Sequence, residues 1–300
     1  MTLGEKIRNL RNAKMMTQSE LAGTVITRNM LSQIENGAAM PSLPTLMYLA
    51  DKLKVPAGYL IADDESELIY RKISCIDNVK RAYSEGEYRI CRSICLNELG
   101  FADDELSLIL AGCSLNIGKE LFEAGKIRAA CAAFDEAIRY CASCAYYTKN
   151  IVSEIAVYYR YLNRKISHTI YSEEVLPPSS DGLAFSDPFC KYIIACEAIE
   201  SGQSAMASYI VDSLREGSGH LHLILQAKSL MREQEYTAAA AALQEVLRCD
   251  IIIVSPLLYD ILCDLEVCCK EISDYKHAYE YSSNKMTVIE KMLSDDGYID

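Results

Sequence analysis

Apolar residues recur every three to four positions along almost the whole chain, whereas the strict alternation typical of β-strands is nearly absent. In residues 1–60 this period predicts five short helices. Their apolar positions are Ile7 and Leu10, Leu21 and Ala22, Leu31 and Ile34, Leu46, Leu49 and Leu53, and the segment 55–60. The chain is therefore predicted to be all-α.

Polar residues and glycines mark the boundaries of these helices. Thr17 followed by Glu20 has the spacing of a capping box at a helix start. Gly37 is typical of a helix C-terminus, and Pro44 is tolerated in a first helical turn. The segment 23–26 between the second and third helices is short, as two helices crossing at a fixed angle require.

From Leu68 onward a self-similar pattern accompanies the helical period. The expected turns within helix pairs fall at Gly86, Gly125, Gly202, Gln234 and Ser273, at intervals of 39, 77, 32 and 39 residues. The interval of 77 is close to two repeats and predicts a degenerate unit near Asn163. Such a period indicates a stack of helix pairs.

The clearest unit has small residues where its two helices touch and larger residues between them, at Gly118, Leu121, Gly125, Ala130, Phe134 and Ala137. This spacing resembles the tetratricopeptide repeat over about 230 residues, although the chain contains no Trp and most units lack the consensus proline. The resemblance implies a right-handed superhelix of about five to six repeats, whose concave groove binds peptides or protein segments.

The first 60 residues carry a second resemblance. The pieces Thr17-Gln18, Leu21-Ala22, Ile34-Glu35-Asn36-Gly37 and Pro41-Ser42 stand in the order found in the xenobiotic-response-element family of helix-turn-helix domains, which includes the phage repressors. Residues 3–60 resemble that family, which implies that the third helix reads DNA. The positions that the resemblance assigns to DNA binding are Thr17, Gln18, Thr27, Arg28, Asn29, Ser32, Gln33 and Asn36.

Side-chain chemistry gives several of these positions a specific role. Arg28 would bind guanine through two hydrogen bonds, and Asn29 or Gln33 would pair with adenine, each contact contributing about 1–3 kcal/mol of discrimination. Gln18 and Asn36 fall where the family contacts phosphate. In the alternative interpretation, each of these residues is an ordinary solvated helix residue.

Charge separates the same region from the rest of the chain. Residues 1–60 have a net charge of +3, whereas residues 61–300 have a net charge of −15. A basic head is suited to a polyanion, and an acidic body is not. We therefore predict a helix-turn-helix domain over residues 1–62, an acidic hinge or first helical turn over 63–67, and a repeat domain for sensing and dimerisation over 68–300.

The turn of the helix-turn-helix carries a further resemblance. Between Leu21-Ala22 and Asn36-Gly37 the chain is one residue shorter than the commonest phage-repressor spacing. The shortened turn is similar to that of the peptide-sensing Rgg, PlcR and PrgX regulators of Gram-positive bacteria, which also join such a head to helical repeats. The resemblance implies a short signalling peptide as the ligand. In the family pattern Arg11 and Glu35 form a partly buried ion pair, and we expect a structural role for both.

The repeat register directs one face of each first helix into the concave groove. The candidate ligand-binding residues on this face are Lys119, Phe122, Tyr192, Lys228 and Met231. The lysines would pair with a peptide carboxylate, and the apolar side chains would form the walls. In the alternative, Phe122 and Tyr192 pack on neighbouring repeats and the lysines are solvated.

Other chemistry is poorly supported. The 13 cysteines are odd in number and the chain opens with charged residues, so reduced thiols in the cytoplasm are expected. Cys141 and Cys144 have the spacing of half a zinc site without a second pair, and His220 and His222 point to different helix faces. We predict no metal, no cofactor and no enzymatic activity. The longest uncharged run, residues 36–50, is too short for a membrane span, which needs about 18 apolar residues.

Two functions therefore remain open. The first is a ligand-controlled transcription regulator that binds an operator of two half-sites as a homodimer and senses a short peptide. The second is a DNA-anchored interaction protein whose repeats dock a protein partner.

Overall fold

The computed structural model describes residues 1–99, 103–166, 187–214, 219–248 and 255–294. Sixteen α-helices, and no strand, occur within these ranges. They are α1 (Leu3–Ala13), α2 (Gln18–Ala22), α3 (Arg28–Glu35), α4 (Leu43–Leu53), α5 (Ala57–Ile61), α6 (Asp64–Ser84), α7 (Tyr88–Ser93), α8 (Asp104–Glu123), α9 (Ile127–Ser143), α10 (Lys149–Lys165), α11 (Pro188–Ser201), α12 (Ser204–Leu214), α13 (Gly219–Arg232), α14 (Tyr236–Arg248), α15 (Ser255–Glu271) and α16 (Tyr275–Leu293). A π-helical segment, Ile94–Leu99, continues α7.

The five helices predicted in residues 1–60 are confirmed as α1 to α5. Thr17 caps α2 in a full capping box with Glu20, and Ser42 caps α4, which has a proline in its first turn. One apolar cluster holds these helices together, with Ile7, Leu31 and Leu49 fully buried at its centre. The helical period therefore predicted both the elements and the faces that they bury.

The acidic run after α5 is the beginning of a long helix. Residues 64–67, expected to be a hinge or an acidic first turn, form the first turn of α6. The Asp63 carboxylate accepts a hydrogen bond from the Ser66 backbone N–H at 2.8 Å and caps this helix. Acidic residues at a helix N-terminus interact favourably with the free N–H groups and the helix dipole.

The chain forms two compact units. The first comprises Met1–Gly86 with Ser93–Phe101, and the second comprises Glu87–Arg92 with Ala102–Asp300. The first unit thus contains α6 in addition to the five helices of the head. In the part of the chain that is described, no helix has the length and apolarity needed to cross a membrane.

The predicted turns of the repeats share one backbone conformation. Gly86, Gly125, Gly202, Gln234 and Ser273 all have a positive φ, between 64° and 82°. Each of the last four lies between consecutive packed helices, in the pairs α8–α9, α11–α12, α13–α14 and α15–α16. A left-handed residue at a helix C-terminus ends the helix and reverses the chain. The repeat pattern is therefore confirmed in these four pairs. The degenerate unit expected near Asn163 contains α10, and residues 167–186, which follow it, lie outside the described ranges.

Close packing within a repeat explains one small-residue position of the pattern. Gly118 of α8 lies against the buried ring of Phe134 on α9, where an added Cβ would be only 2.5 Å from Phe134 Cε1. The small residue at this site lets the two helices approach each other. A continuous apolar core then runs through the described helices from α8 to α16.

Candidate DNA-binding and ligand-binding sites

The turn between α2 and α3 is fixed by close contacts in the head. Gly23 ends α2 with φ 54°, and a Cβ at this position would lie 2.3 Å from the Tyr48 hydroxyl oxygen. That hydroxyl donates a hydrogen bond to the Ala22 carbonyl oxygen at 3.2 Å. Thr27 then caps α3 by accepting a hydrogen bond from the Met30 backbone N–H. These contacts set the direction in which α3 leaves the turn.

Helix α3 has one buried and one exposed face. Leu31, Ile34 and Glu35 are buried against the rest of the head. The exposed positions include Thr27, Arg28, Asn29, Gln33 and Asn36, and Ser32 is partly exposed. The third helix therefore presents the predicted DNA-contacting residues to solvent on a face that no core residue occupies.

The predicted ion pair between Arg11 and Glu35 is confirmed, and it includes a third residue. Arg11 Nε lies 2.7 Å from Glu35 Oε1, and Gln18 Nε2 donates to Glu35 Oε2 at 2.9 Å. Burial alone would raise the pKa of Glu35, but the hydrogen bonds from Arg11 and Gln18 outweigh it and lower that pKa. One of the two N–H donors of the Gln18 amide is used here, so a phosphate contact from Gln18 would need the other.

In the second unit, the two lysines that are predicted to bind the ligand form ion pairs with acidic side chains. Lys119 Nζ on α8 lies 2.5 Å from Glu154 Oε2 on α10 and 3.2 Å from Asp187 Oδ1, beside the start of α11. Burial would lower the pKa of Lys119, but Asp187 and Glu154 outweigh it and raise that pKa. Internal carboxylates already neutralise Lys119, so a peptide carboxylate would have to compete with Glu154 and Asp187 for it.

A second cluster joins four helices of the second compact unit, which contains the helix-pair repeats and is called the repeat unit below. It consists of Lys165 on α10, Tyr192 on α11, Lys228 on α13, and Asp260 and Asp264 on α15, and we call it the lysine–aspartate cluster. Lys165 Nζ lies 2.5 Å from Asp260 Oδ1, and Lys228 Nζ lies 3.2 Å from Asp260 Oδ2. Lys228 also donates a hydrogen bond to Asp264, and the Tyr192 hydroxyl donates one to Asp260. Two positive and two negative charges therefore meet in one place.

The electrostatics of this cluster favour the ionised forms of Asp260 and Lys228, whereas burial and the charge of Asp260 raise the pKa of Asp264. Asp260 is only 1% exposed, and burial alone would raise its pKa. Lys228 and Lys165 outweigh that effect and lower the pKa of Asp260. The pKa of Lys228 is raised well above its ordinary value, because Asp260 and Asp264 outweigh the cost of its burial. The two lysines thus keep Asp260 charged in a site that water barely reaches.

The two aromatic residues predicted to line an open groove are buried instead. Phe122 packs edge-on against Tyr158, with 5.0 Å between ring centroids, and its side chain is fully inaccessible. The ring of Tyr192 is also buried, near Phe189. The structure therefore corrects this part of the expectation in favour of the alternative, in which Phe122 and Tyr192 pack on neighbouring repeats.

A cleft of about 340 Å³ opens beside the lysine–aspartate cluster. Its lining combines charged and apolar side chains, which are Lys165, Glu200, Lys228, Arg232 and Asp264, and Ile199, Met231, Tyr236 and Val267. Of the five residues predicted for the ligand, Lys228 and Met231 are brought together here, whereas Lys119 is part of the separate group with Glu154 and Asp187.

Sequence reasoning missed Lys165, Asp260 and Asp264. The available signal was the pair of aspartates four residues apart in the otherwise apolar stretch 257–265, which places two carboxylates on one face of a helix. Across the described ranges, no group of three or more His, Cys, Asp and Glu residues is arranged to hold a metal ion.

Comparison with known proteins identifies the head. Residues 7–60 match the helix-turn-helix family, which confirms the prediction of a helix-turn-helix domain at this end of the chain. No curated protein matches the chain.

Solved structures give low-identity matches over most of the chain. Bacillus thuringiensis PlcR in complex with the peptide PapR7 and DNA is 16% identical, covering 98% of this chain and 96% of that one, with a TM-score of 0.29. The Streptococcus dysgalactiae SHP pheromone receptor Rgg2 is 15% identical, with 95% and 99% covered and a TM-score of 0.21. ComR from S. thermophilus, in complex with DNA and its signalling peptide ComS, is 16% identical, with 96% and 99% covered and a TM-score of 0.22.

Proposed function

We propose that this protein is a sequence-specific DNA-binding transcription regulator whose DNA affinity is controlled by a short peptide bound in its repeat unit. The observation that carries the first half is the exposed polar face of α3 in a domain of the helix-turn-helix family. The observation that supports the second half is the cleft beside the lysine–aspartate cluster. The proteins named in the structural comparisons, two of them in complex with DNA and a peptide, motivate the same pairing of ligands.

On DNA, α3 enters the major groove and its exposed side chains contact base edges. Arg28 binds guanine through its two parallel N–H donors, and Asn29 or Gln33 binds adenine. Thr17, Gln18 and Asn36 lie towards the phosphates. Thr27 and Ser32 complete the contact surface. Two heads related by a two-fold axis read two half-sites one helical turn apart, so the active form is a homodimer.

Fluorescence anisotropy tests the proposed DNA binding. It compares DNA from the upstream region of the protein's own gene with scrambled DNA across a salt series. Arg28→Ala should reduce the preference for the specific DNA by about 1–3 kcal/mol, equivalent to roughly 5- to 150-fold. Arg128→Ala is the matched control, because Arg128 is also an exposed arginine but lies on α9 of the acidic repeat unit. Equal effects of the two substitutions would contradict base reading by Arg28.

In the repeat unit, the peptide's terminal carboxylate takes the place of an internal carboxylate in the lysine–aspartate cluster. Lys165 and Lys228 are held at the edge of the cleft by Asp260 and Asp264, and a competing carboxylate has the same charge and geometry. The apolar lining residues of the cleft, with Met231 among them, accept the adjoining side chains of the peptide. Lys119, bound by Glu154 and Asp187, lies outside this exchange and serves the packing of α8, α10 and α11.

A peptide changes DNA affinity only if it binds two conformations of the protein unequally. The cluster provides such a difference, because its ion pairs join α10 and α13 to α15. A ligand that releases Asp260 from either lysine loosens the contact between these helices. The structure with all pairs made is then the ligand-free conformation.

Affinity selection with two synthetic heptapeptide pools of the same random composition tests the ligand. One pool has free C-termini and the other has amidated C-termini. Peptides from the free-acid pool should be retained by the wild type and identified by mass spectrometry, and Lys228→Met should lose them. Equal retention of the amidated pool would remove the carboxylate role. Retention of no peptide, together with capture of a folded protein from cell extract, would favour the partner-docking alternative.

A further inference from the structure

A second and larger cleft lies next to the one that the proposed function uses. The cleft beside the lysine–aspartate cluster, called the small cleft from here on, has a volume of about 340 Å³. The second, called the large cleft, has a volume of about 730 Å³ and lies between α12 and α13. Ligand sites have volumes of roughly 300–1,000 Å³, so the small cleft is near the lower limit. An extended heptapeptide spans roughly 23–25 Å, so the small cleft has room for only one end of it.

The large cleft is bounded by one face of each of two helices. On α13, its lining residues Gln226, Ser229, Leu230 and Glu233 occupy positions i, i+3, i+4 and i+7, which share a helix face. On α12, the lining residues have the same spacing, and they are Ser204, Ala207, Ser208 and Val211. Because the α12 side chains are short, they leave the space in front of α13 open.

The two clefts meet at the C-terminal end of α13. Lys228 and Met231, which line the small cleft, are on the face of α13 opposite to the large cleft. Arg232, in the last turn, lies between these faces and lines both clefts, as does Ile199 of α11. Arg232 Nη1 donates a hydrogen bond to the Ile199 carbonyl oxygen at 2.6 Å, and a Cβ added at Gly202 would lie 2.6 Å from Arg232 Nη2. The guanidinium is therefore held at the junction of the two clefts.

The lining of the large cleft suits the backbone of a peptide. Each peptide residue carries a backbone donor and a backbone acceptor, which need partners when they leave water. The hydroxyls of Ser208 and Ser229 and the amide of Gln226 supply both kinds of group. Arg232 and Glu233 add one charge of each sign, so the lining has no net charge. The large cleft thus accepts a polar segment without selecting for its charge.

We propose that the two clefts form one bipartite site for a single peptide. The C-terminal end of the peptide occupies the small cleft, its N-terminal part occupies the large cleft, and Arg232 donates hydrogen bonds to the peptide backbone where it crosses between them. A guanidinium has five N–H donors, and the bond to Ile199 uses one of them. The occupant follows from continuity, because the clefts share two lining residues, and from the length of a peptide that the small cleft alone cannot hold. The identity of the ligand as a peptide rests on the proposed function.

A bipartite site adds selection for length and for the position of apolar residues. A tripeptide, which spans about 10 Å, does not reach from the small cleft past Arg232 into the large cleft. Apolar side chains of the peptide are accommodated by the small cleft, where Met231 and Val267 lie beside the lysines. Heptapeptides retained from a random free-acid pool should therefore be enriched in apolar residues at their last positions and not at their first.

Isothermal titration calorimetry with the most abundant retained heptapeptide and with its C-terminal tripeptide tests the site. The wild type should bind the tripeptide at least tenfold more weakly than the heptapeptide. Ser208→Trp fills the large cleft and should weaken heptapeptide binding at least tenfold, while tripeptide binding stays unchanged. Ser213→Trp is the matched control, because Ser213 is an exposed serine of the same helix that does not line the cleft.

Two further variants make the test independent of a single substitution. Gln226→Trp fills the large cleft from the opposite wall and should reproduce the effect of Ser208→Trp, even if one of the two variants folds poorly. Arg232→Met should weaken heptapeptide binding at least fivefold. Arg248→Met is its control, because Arg248 is an exposed arginine in the last turn of α14 and lines neither cleft.

Several results would overturn the bipartite site. They are a tripeptide that binds as tightly as the heptapeptide, heptapeptide binding that both tryptophan variants leave unchanged, and an equal loss in Ser213→Trp. Heptapeptide binding by Arg232→Met that equals the wild type would remove the role of Arg232 and contradict the proposed crossing point.

Failure of the bipartite site is distinguishable from failure of the proposed function. If the wild type retains heptapeptides but neither their length nor the filling of the large cleft affects binding, only the bipartite site is refuted. If the wild type retains no peptide at all, peptide control itself is refuted, and the bipartite site with it.

Discussion

Replacement of Asp260 by Asn removes one charge from the centre of the lysine–aspartate cluster and keeps the shape of the side chain. In the wild type, Asp260 neutralises Lys165 at 2.5 Å and Lys228 at 3.2 Å, and it accepts a hydrogen bond from the Tyr192 hydroxyl. The variant leaves Lys228 and Lys165, whose side chains are 11% and 26% exposed, with Asp264 as the remaining acidic partner in the cluster. One positive charge in this site is then without a counter-charge.

The expected cost is large, because breaking a buried ion pair by removing one partner destabilises proteins by about 3–5 kcal/mol. Lys228 retains Asp264, so we expect the lower end, about 3 kcal/mol. A surface pair gives the contrast. Asp51 and Lys54 are also joined at 3.2 Å, but their side chains are 78% and 72% exposed, and such pairs contribute only about 0–1 kcal/mol.

Urea denaturation followed by far-ultraviolet circular dichroism measures both effects. Asp260→Asn should lower the midpoint of the transition of the repeat unit by the stated amount with an unchanged slope. Asp51→Asn should leave that transition in place. If Asp260→Asn costs less than about 1 kcal/mol, as a solvated surface pair would, the cluster is open to water and the argument for its ionic lock is refuted.

Three further predictions concern packing, capping and pH. Gly118→Ala should destabilise the repeat unit by about 1–3 kcal/mol, because its methyl group would overlap the Phe134 ring. Gly219→Ala is the control and should have no such cost, because its Cβ would meet no described atom within 4 Å. Thr17→Ala should lower the thermal stability of the head by about 1 kcal/mol through loss of the capping box. The pKa of Glu35 is lower in the folded protein than its ordinary value near 4.5. The ionised carboxylate therefore stabilises the head above about pH 4.5, and this stabilisation is lost as the pH falls through the lower, folded-state pKa. The free energy of unfolding of Glu35→Gln should depend less on pH below about 4.5 than that of the wild type.

The parts of the fold that the sequence predicted depend on local signals. The capping boxes and the 3.6-residue period identified α1 to α5, because both act within one or two helical turns. The turns of the repeats could be predicted for the same reason. Gly125 and Gly202 adopt a left-handed backbone that residues with a side chain disfavour, so a glycine there is a local signal. The turns at Gln234 and Ser273 were predicted only from their spacing relative to these glycines, and the structure adds that both residues are left-handed.

The ligand site was predicted less well because it depends on non-local geometry. The meeting of Lys165 with Asp260 joins residues 95 positions apart, on α10 and α15, which two helix pairs separate along the chain. In addition, a small error in the predicted rotation of a helix about its axis is enough to assign a core residue to the groove. Phe122 was assigned to the groove on such a register, yet its face of α8 packs into the aromatic core. The π-helical segment Ile94–Leu99 had no signal in the pattern.

The lysine–aspartate cluster is better explained as a switch than as a source of stability. Apolar residues of similar volume would stabilise the same contact between α10, α13 and α15 as well or better, because burying charges costs desolvation energy. An ion cluster differs from an apolar contact in that another carboxylate can compete for its lysines.

The energetics of that competition are modest, since one carboxylate replaces another. The net change is the difference between two similar interactions, which matches the 1–3 kcal/mol range of most allosteric couplings. If the cluster works in this way, Asp260→Asn should do more than destabilise the repeat unit. It should bind free-acid peptides more tightly than the wild type, because the internal competitor is gone, and tighter binding of amidated peptides by the same variant would contradict this reasoning.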